Sequence, residues 1–464
     1  MASTLSAPAA LQRTENSMVR LPIGRLIAFS TLMLPVTAAQ VPIGVFLPAL
    51  YAQNFGLPLA TIGGIFLVER IWGTVADPLV GVFSDRTKSR FGRRKSWITC
   101  GAALYALATL FLFFPFLKVT PVYLLVSLFT FYLAWSMMQI PYLAWSGEIS
   151  SEYHERTRIA TAQTVAAAVA LWVALTLPTI VDQMRPHDAT LKLGAMGGFI
   201  LLSLAPALFL TLRAFGEGPA PVHRPAQHMA LRQTLGLLFK EGPLVRVFFS
   251  DFAVSTGQGI RGALIIFFVT SYMNLPKWSS GLFLVQFVFG IVAAPVWAGI
   301  SRRHGKIRTA VAAELIQAGI NMGLLLVIPG QIALLLVLTI AQGLAQGSGN
   351  LMLRSMMAEV ADRHRLETHV DRTALFFSVF SLSQKAGMAA AVGIALPLVA
   401  WLGFNPAAKS NTPQALHSLA MVFALGPAIA HIISAAFIRG FPIDQPRYAE
   451  IRRELDARDA REAT

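Results

Sequence analysis

The sequence predicts an all-α membrane protein of twelve transmembrane helices in two pseudo-symmetric six-helix bundles, and three observations carry that prediction. Hydrophobic residues make up 55% of the 464 and charged residues only 13%, with a mean hydropathy of +0.60. Soluble domains carry about 25% charged residues. Apolar runs of roughly 18 or more residues, each long enough to cross a hydrocarbon layer of about 30 Å, recur from Leu26 almost to the end. The stretch GVFSDRTKSRFGRRK after the second run is echoed by AGISRRHGKIRT after the eighth, as expected of two related bundles in one chain.

Taken in order, the spans fall in 26–51, 59–83, 97–117, 122–146, 159–181, 195–213, 246–272, 279–300, 308–329, 332–357, 373–403 and 415–438. They are helices because a lipid-facing strand could not satisfy its backbone hydrogen bonds. Residues 1–25 form a tail, 26–213 the first bundle, and 214–245 a connector marked by Gly216, Gly218, Pro219, Pro221 and Pro225. An amphipathic piece at Leu231–Lys240 is expected to lie on the membrane surface. Residues 246–440 form the second bundle, and 441–464 a tail whose alternating acids and bases predict a solvated helix.

The net charge of +15 raises the question of nucleic acid, and the placement of the charge answers it. Lys118, Arg185, Lys192, Lys277 and Lys409 fall in one set of alternate loops, while Arg70, Arg261 and Lys385 lie inside spans. Nearly all the other basic residues sit in the termini and the opposite loops. This is the positive-inside pattern, which places both termini in the cytoplasm and the chain in a cell (inner) membrane. Short basic turns do not make a nucleic-acid face, so no nucleic-acid partner is expected. Residues 1–20 carry Arg13, Glu15 and Arg20 but no apolar core, so the first helix is expected to act as its own insertion signal. The single cysteine, Cys100, forms no internal disulfide and no thiolate metal cluster. There is no GxxxxGK[ST], HExxH or GxSxG, which argues against nucleotide-driven pumping and against these hydrolytic chemistries. No cofactor or metal is expected. The partners are a small-molecule substrate and the bilayer, and a monomer is compatible with a sequence that carries no sign of oligomeric state.

Asp77 is the leading functional residue. A carboxylate inside a span costs about 2.5–3.5 kcal/mol on insertion scales, so it faces a cavity or a partner. Arg70 precedes it by two helical turns on nearly the same face, which allows an ion pair. That pair is either a static helix-orienting contact or part of a cation site. Glu69 points elsewhere on the same helix and is either a second titratable group or a partner for a base. Lys385 and Arg261 lie too deep to snorkel. They bind an anionic group of the substrate, or they neutralise Asp77, Asp251 or Glu69. Gln139 with Tyr142, and Gln342 with Gln346, form polar stripes at turn spacing that either glue helices or line a cavity. Trp72, Trp135 and Trp145 are candidates for stacking on a sugar ring or for interfacial anchoring.

ERIWGTVADPLVGVFSDRTKSRFGRRKSW, IPYLAWSGEISSEYHERTR, MAEVADRHRLETHVDRTALFFSVFSLSQKAG and FPIDQPRYAEIRRELDAR occur in this order. Together they resemble the glycoside–pentoside–hexuronide:cation symporters of the major facilitator superfamily, a melibiose-carrier-like family, over nearly the whole chain. The resemblance implies the major facilitator fold, with Asp77 as coupling carboxylate and Lys385 near the substrate cavity. It also implies a gate built from Gly81, Asp85, Arg86, Arg90, Gly92, Arg93 and Arg94, with Glu148, Glu359 and Asp362 as partners on the same face. Gly81 would permit close helix contact, and the charges would pair across the face when the carrier opens outward. The alternative is that these bases only obey the positive-inside rule. Sodium-using relatives offer an aspartate and an asparagine where this chain has Gly73 and Ala76. Asp77 with Ser136 is thin coordination for a cation that seeks several oxygens, so a proton is the expected coupling ion and sodium the alternative. Disaccharide-transporting relatives carry carboxylates at Thr37 and Gln139 and an arginine at Thr164, so the sugar-gripping charges are absent here.

The expected function is secondary active transport by alternating access, as proton-coupled symport of a sugar, glycoside or sugar acid. A carrier of a more apolar, lysolipid- or terpenoid-like solute is the alternative within transport. A non-transporting membrane receptor is the alternative outside it.

Overall fold

The computed structural model describes residues 20–150, 152–186, 188–217 and 241–462. The segment expected as a surface helix, Leu231–Lys240, lies outside them, as does most of the connector. The first half consists of α1 (Ile23–Phe55), α2 (Leu59–Arg86), α3 (Arg93–Phe113), α4 (Pro121–Glu148), α5 (Tyr153–Met184) and α6 (Ala189–Ala214). The second half consists of α7 (Gly242–Tyr272), α8 (Gly281–His304), α9 (Lys306–Gly323), α10 (Ile332–Gln346), α11 (Gly349–Thr368), α12 (Thr373–Trp401) and α13 (Pro413–Arg439). A last helix, α14, runs over Gln445–Glu462.

Eleven of these helices are long and apolar enough to cross a membrane, and α10, at 15 residues, is a shorter apolar one. The tenth span was expected as one run over 332–357. It breaks at Gly347–Ser348, where two small residues let the chain close against α8 and restart as the polar helix α11. Thr120, Asp188 and Thr412 cap α4, α6 and α13 by accepting from the backbone N–H of Tyr123, Leu191 and Ala415. α2, α4 and α13 carry internal prolines, Pro78, Pro141 and Pro427, as membrane helices do more often than soluble ones.

The internal repeat is visible in the backbone. The opening helix of each half carries a π segment, Pro42–Phe46 in α1 and Phe268–Tyr272 in α7. The turn after the second helix of each half ends on a left-handed glycine, Gly92 at φ 102° and ψ 150° and Gly305 at φ 83° and ψ 148°. An L side chain is strained in that conformation, which explains why both echoed motifs carry glycine there.

The two ends of the molecule are built differently. At the face carrying the basic loops, hereafter the basic face, ion pairs stay within each half. Arg94 bonds Asp85 at 2.5 Å, and Arg93 and Arg94 reach Glu148 at 2.8 and 2.9 Å. In the second half Lys306 pairs with Glu359, and Asp362 takes the Tyr448 hydroxyl at 2.9 Å and Arg452 at 3.5 Å. In this arrangement Glu359 and Asp362 are each held by a base or hydroxyl of their own half, and the pairing with the first-half loop expected of the outward-open carrier is not formed. Arg86 and Arg90 are exposed. Gly81 is not a tight contact either, because a Cβ there would meet Ile140 at an ordinary 3.8 Å. The tail helix α14 is not simply solvated. Ile451 and Leu455 are buried against the second half, and Arg365 bonds Asp459 at 2.9 Å, so the acidic and basic side chains dock the helix as well as solvate it.

At the far face the halves are joined. Asp182, fully buried at the end of α5, accepts from the Ser279 hydroxyl at 2.8 Å and the Ser280 backbone N–H at 2.9 Å, at the start of α8. Lys192 of α6 pairs with the same carboxylate. Gln183 donates to the Lys277 carbonyl at 3.0 Å, and Gln53 to Thr270 at 3.3 Å. Removing one member of a buried, hydrogen-bonded pair costs about 3–5 kcal/mol because the partner charge is left unpaired. Asp182→Ala is therefore expected to open the far face. The check is cross-linking between Gln183→Cys and Lys277→Cys in a Cys100→Ser background, which should fall about tenfold or more. An unchanged yield would show that Asp182 does not hold this face shut.

Candidate functional site

Between the halves lies a cavity of about 540 Å³, within the range of small-molecule sites, about 300–1,000 Å³. The π segment of α1 opens one wall, contributing Ile43, Gly44 and Val45, with Val41 just before it. A π turn widens the helix and re-aims its side chains, which suits a wall that must bend around a solute. α2 contributes Phe66, Glu69, Arg70, Gly73 and Asp77, and α4 contributes Phe131, Tyr132, Trp135 and Ser136. The second half supplies Gln258 from α7, Gln346 from α10 and Gln384, Lys385 and Met388 from α12. An adjoining cavity of about 790 Å³ shares Phe283, Gln346 and Gln384 with it and is also lined by Arg354 of α11.

Asp77 is held from both halves. Ser136 of α4 donates to one carboxylate oxygen at 2.5 Å, and the Lys385 ammonium of α12 donates to the other at 2.5 Å. Lys385, 308 residues away in sequence, is therefore the ion-pair partner of Asp77. The expected Arg70–Asp77 pair is not formed. Arg70 instead lies 3.6 Å from the neighbouring Glu69, and its guanidinium sits 5.3 Å from the centre of the Tyr132 ring. Glu69, expected to point away from Arg70, thus turns its carboxylate toward it while staying buried at the cavity edge.

Of the predicted substrate residues, Lys385 and Gln346 line the cavity, whereas Thr37, Gln139, Tyr142, Arg261 and Gln342 do not. Tyr142 is buried, stacks on Phe29 and donates to the Phe29 carbonyl at 3.0 Å, so it holds α1 to α4. Thr37 is buried among the first-half helices. Arg261 donates to Gln286 at 3.2 Å and Asn321 at 3.0 Å, and Gln342 joins the same network through Asn321 and Gln317. Arg261 accordingly neither reaches the cavity nor neutralises Asp77, Asp251 or Glu69. A guanidinium spread over neutral amides and against the Phe423 ring, 5.4 Å away, ties the interior of the second half together. Asp251 is buried and accepts from Ser383, two residues from Lys385 on α12.

The lining residues not anticipated are Gln40, Tyr132, Gln258, Gln384 and Arg354. The amides interrupt apolar runs singly, so no turn-spaced stripe marked them. Arg354 has no acidic partner among the described residues. The arrangement offers amide donors and acceptors and aromatic faces to a polar solute, and a carboxylate whose two oxygens are engaged by opposite halves. Among the described residues no three His, Cys, Asp or Glu side chains gather to hold a metal ion.

Residues 28–445 match the family described as MFS/sugar transport protein. Three full-length relatives are similar. An uncharacterised symporter of Synechocystis is 24% identical over 87% of this chain and 91% of its own. The glucuronide carrier protein homolog of Escherichia coli is 22% identical over 89% and 91%. The isoprimeverose transporter of Lactiplantibacillus pentosus is 22% identical over 87% and 85%. Among solved structures, the nucleoside transporter NupG superposes with a TM-score of 0.64 at 13% identity over 89% of this chain and 98% of its own. The peptide transporter POT superposes with a TM-score of 0.65 at 13% identity over 93% and 96%, which shows the shared fold. With a twelve-helix two-fold architecture, a midplane cavity and a family match over most of its length, this chain belongs to the MFS/sugar transport proteins and is a multi-pass membrane transporter, not an enzyme.

Proposed function

We propose that this protein moves a glycoside, sugar or sugar acid together with a proton by alternating access, with Asp77 as the coupling carboxylate. The observation that carries the proposal is the Ser136–Asp77–Lys385 contact, in which one carboxylate of the first half is bonded to a lysine of the second. While Asp77 is charged it satisfies Lys385. A proton on Asp77 releases the ammonium, which then needs new oxygen ligands, and a polyhydroxylated or anionic solute in the cavity provides them. Proton and solute thus favour each other's binding, which is the thermodynamic requirement for symport. A proton suits the site better than sodium, because both carboxylate oxygens are engaged and Gly73 and Ala76 bring no side-chain oxygen to the same helix.

The substrate class rests on two supports. Relatives over nearly the full chain carry names of a glucuronide carrier homolog and an isoprimeverose transporter. The cavity pairs amides with Tyr132 and Trp135, groups that hydrogen-bond hydroxyls and stack on sugar rings. The apolar walls at Ile43, Val45, Phe66, Phe131 and Val392 favour, as a second reading, a solute with an apolar aglycone or chain. In this proposal the basic face is cytoplasmic in the inner membrane, by the distribution of Lys and Arg. The joined far face then makes this the inward-facing arrangement. The experiment is uptake of a panel of pentosides, hexosides and hexuronides into vesicles under an imposed pH gradient. Accumulation of none of them, with accumulation of an apolar solute instead, would favour the second reading.

Asp77→Asn mimics the protonated form, and it is expected to abolish concentrative uptake while leaving solute exchange across the membrane, because a carrier that never releases its proton still cycles when loaded. Lys385→Gln alone should cut uptake about tenfold or more, whereas added to Asp77→Asn it should cost little further, since coupled residues are not additive. Full additivity, or sodium-stimulated and pH-insensitive uptake by the parent protein, would contradict the assignment.

Arg354 is expected to select for acids. Arg354→Gln should weaken binding of a hexuronide about tenfold and leave its neutral parent glycoside unchanged, as loss of a charge-assisted contact does. Equal effects on both solutes would remove Arg354 from recognition.

A further inference from the structure

A second cavity, larger than the central one, stands apart from it. About 1,250 Å³ of space lies at the basic face of the second half, where the α8–α9 turn, the end of α13 and the start of α14 meet. Arg302, His304, Lys306, Arg308 and Arg439 line it, against two acids, Glu359 and Asp444. Both acids are already engaged, since Glu359 holds Lys306 and Asp444 accepts from the backbone N–H of Arg447 at 3.0 Å. Arg302, Arg308 and Arg439 are exposed and have no acidic partner among the described residues. From this basic ring an apolar wall of Val311, Ala312 and Leu315 climbs along α9. Arg308 to Leu315 is about 10 Å at the helical rise, the distance from headgroups into the acyl layer. Leu315 is 50% exposed on the outer surface of a membrane-spanning helix, so the wall is open to lipid.

The internal repeat supplies an independent argument. In the first half, the start of α3 after Gly92 receives a carboxylate of the chain itself, Glu217, which accepts from the Lys95 backbone N–H at 2.6 Å. In the second half, the start of α9 after Gly305 has no side-chain cap, and its residues Lys306, Ile307 and Arg308 line the cavity. A helix start ringed by arginines is an anion site by both dipole and charge. We propose that this cavity binds an anionic glycerophospholipid, with the phosphate between Arg302, Arg308 and Arg439 at the start of α9 and an acyl chain along Val311, Ala312 and Leu315. A zwitterionic lipid leaves the guanidinium charge uncompensated, and a free anion leaves the apolar wall empty.

The test is native mass spectrometry of the purified full-length protein with dioleoyl phosphatidylglycerol, dioleoyl phosphatidylcholine or inorganic phosphate added. Phosphatidylglycerol should be retained preferentially. The triple variant Arg302→Gln, Arg308→Gln, Arg439→Gln should lower its retention at least about tenfold, because basic residues near the membrane surface add attraction for an anionic lipid. A charge-matched triple elsewhere on the basic face, Arg363→Gln, Arg452→Gln, Arg453→Gln, should not. Should the cavity triple fail to fold, the single variant Arg308→Gln should still show a graded loss. Equal retention of the two lipids, equal loss in the control triple, or displacement of phosphatidylglycerol by inorganic phosphate would each overturn the proposal. The last of these would mark a free-anion site.

Discussion

An ion pair between Asp77 and Lys385 joins the two halves of this transporter at the level of its cavity, and much else in the molecule follows from it. A charge inside a membrane protein is tolerated when a partner or water meets it, and here the partner belongs to the opposite half. The halves cannot rock apart at that level while both groups are charged and unsolvated, because the separated charges would each be left without a ligand in a medium of low polarity. Anything that changes the charge on Asp77, or offers Lys385 another acceptor, therefore acts on the contact between halves as well as on binding. Ser136 completes the arrangement by fixing the second carboxylate oxygen, so that the first is presented to α12.

The rest of the structure distributes rigidity around this contact. Within the second half, Arg261, Gln286, Asn321, Gln317 and Gln342 form one hydrogen-bonded network that binds α7, α8, α9 and α10 into a unit. Within the first half, Tyr51, Tyr105 and Tyr142 each donate a hydroxyl to a backbone carbonyl of another segment, doing the same with phenols. Charges at the basic face pair inside their own halves, while Asp182, Gln53 and Gln183 bond across at the far face. Two stiff bodies with contacts between them at one end and at the midplane can exchange which end is joined, which is what alternating access needs.

The architecture was legible because its causes are local and repeated. Apolar runs of membrane length, the echo around Gly92 and Gly305 and the family-like motifs all survive in the helices observed. The tenth span was less so, since no charge interrupts the chain from Ile332 across the Gly347–Ser348 break until Arg354. Asp77 and Lys385 were identified from their charge inside apolar spans, Gln346 from a turn-spaced polar stripe and Ser136 with the family resemblance, and the four meet in one cavity. The error lay in pairing. Arg70 is near Asp77 in sequence and on the same helix, while Lys385 is reached only through the packing of α2 on α12, which no single-chain periodicity encodes. Arg261 misled for the converse reason. A buried arginine looks like a ligand for an anion, but amides on two other helices absorb it, and their partnership is a tertiary fact. Thr37, Gln139 and Tyr142 share a helix with lining residues but are not among them.

The central claim is that the carboxylate shared between halves is the group that carries the proton. Its most direct measurement is the pH of a lightly buffered suspension of proteoliposomes when the transported glycoside is added with no imposed gradient. The parent protein should alkalinise the medium as solute enters. The Asp77→Asn variant should leave the pH flat while still exchanging external solute for solute already loaded inside. Solute-driven alkalinisation by Asp77→Asn equal to that of the parent would place the coupling proton on some other group.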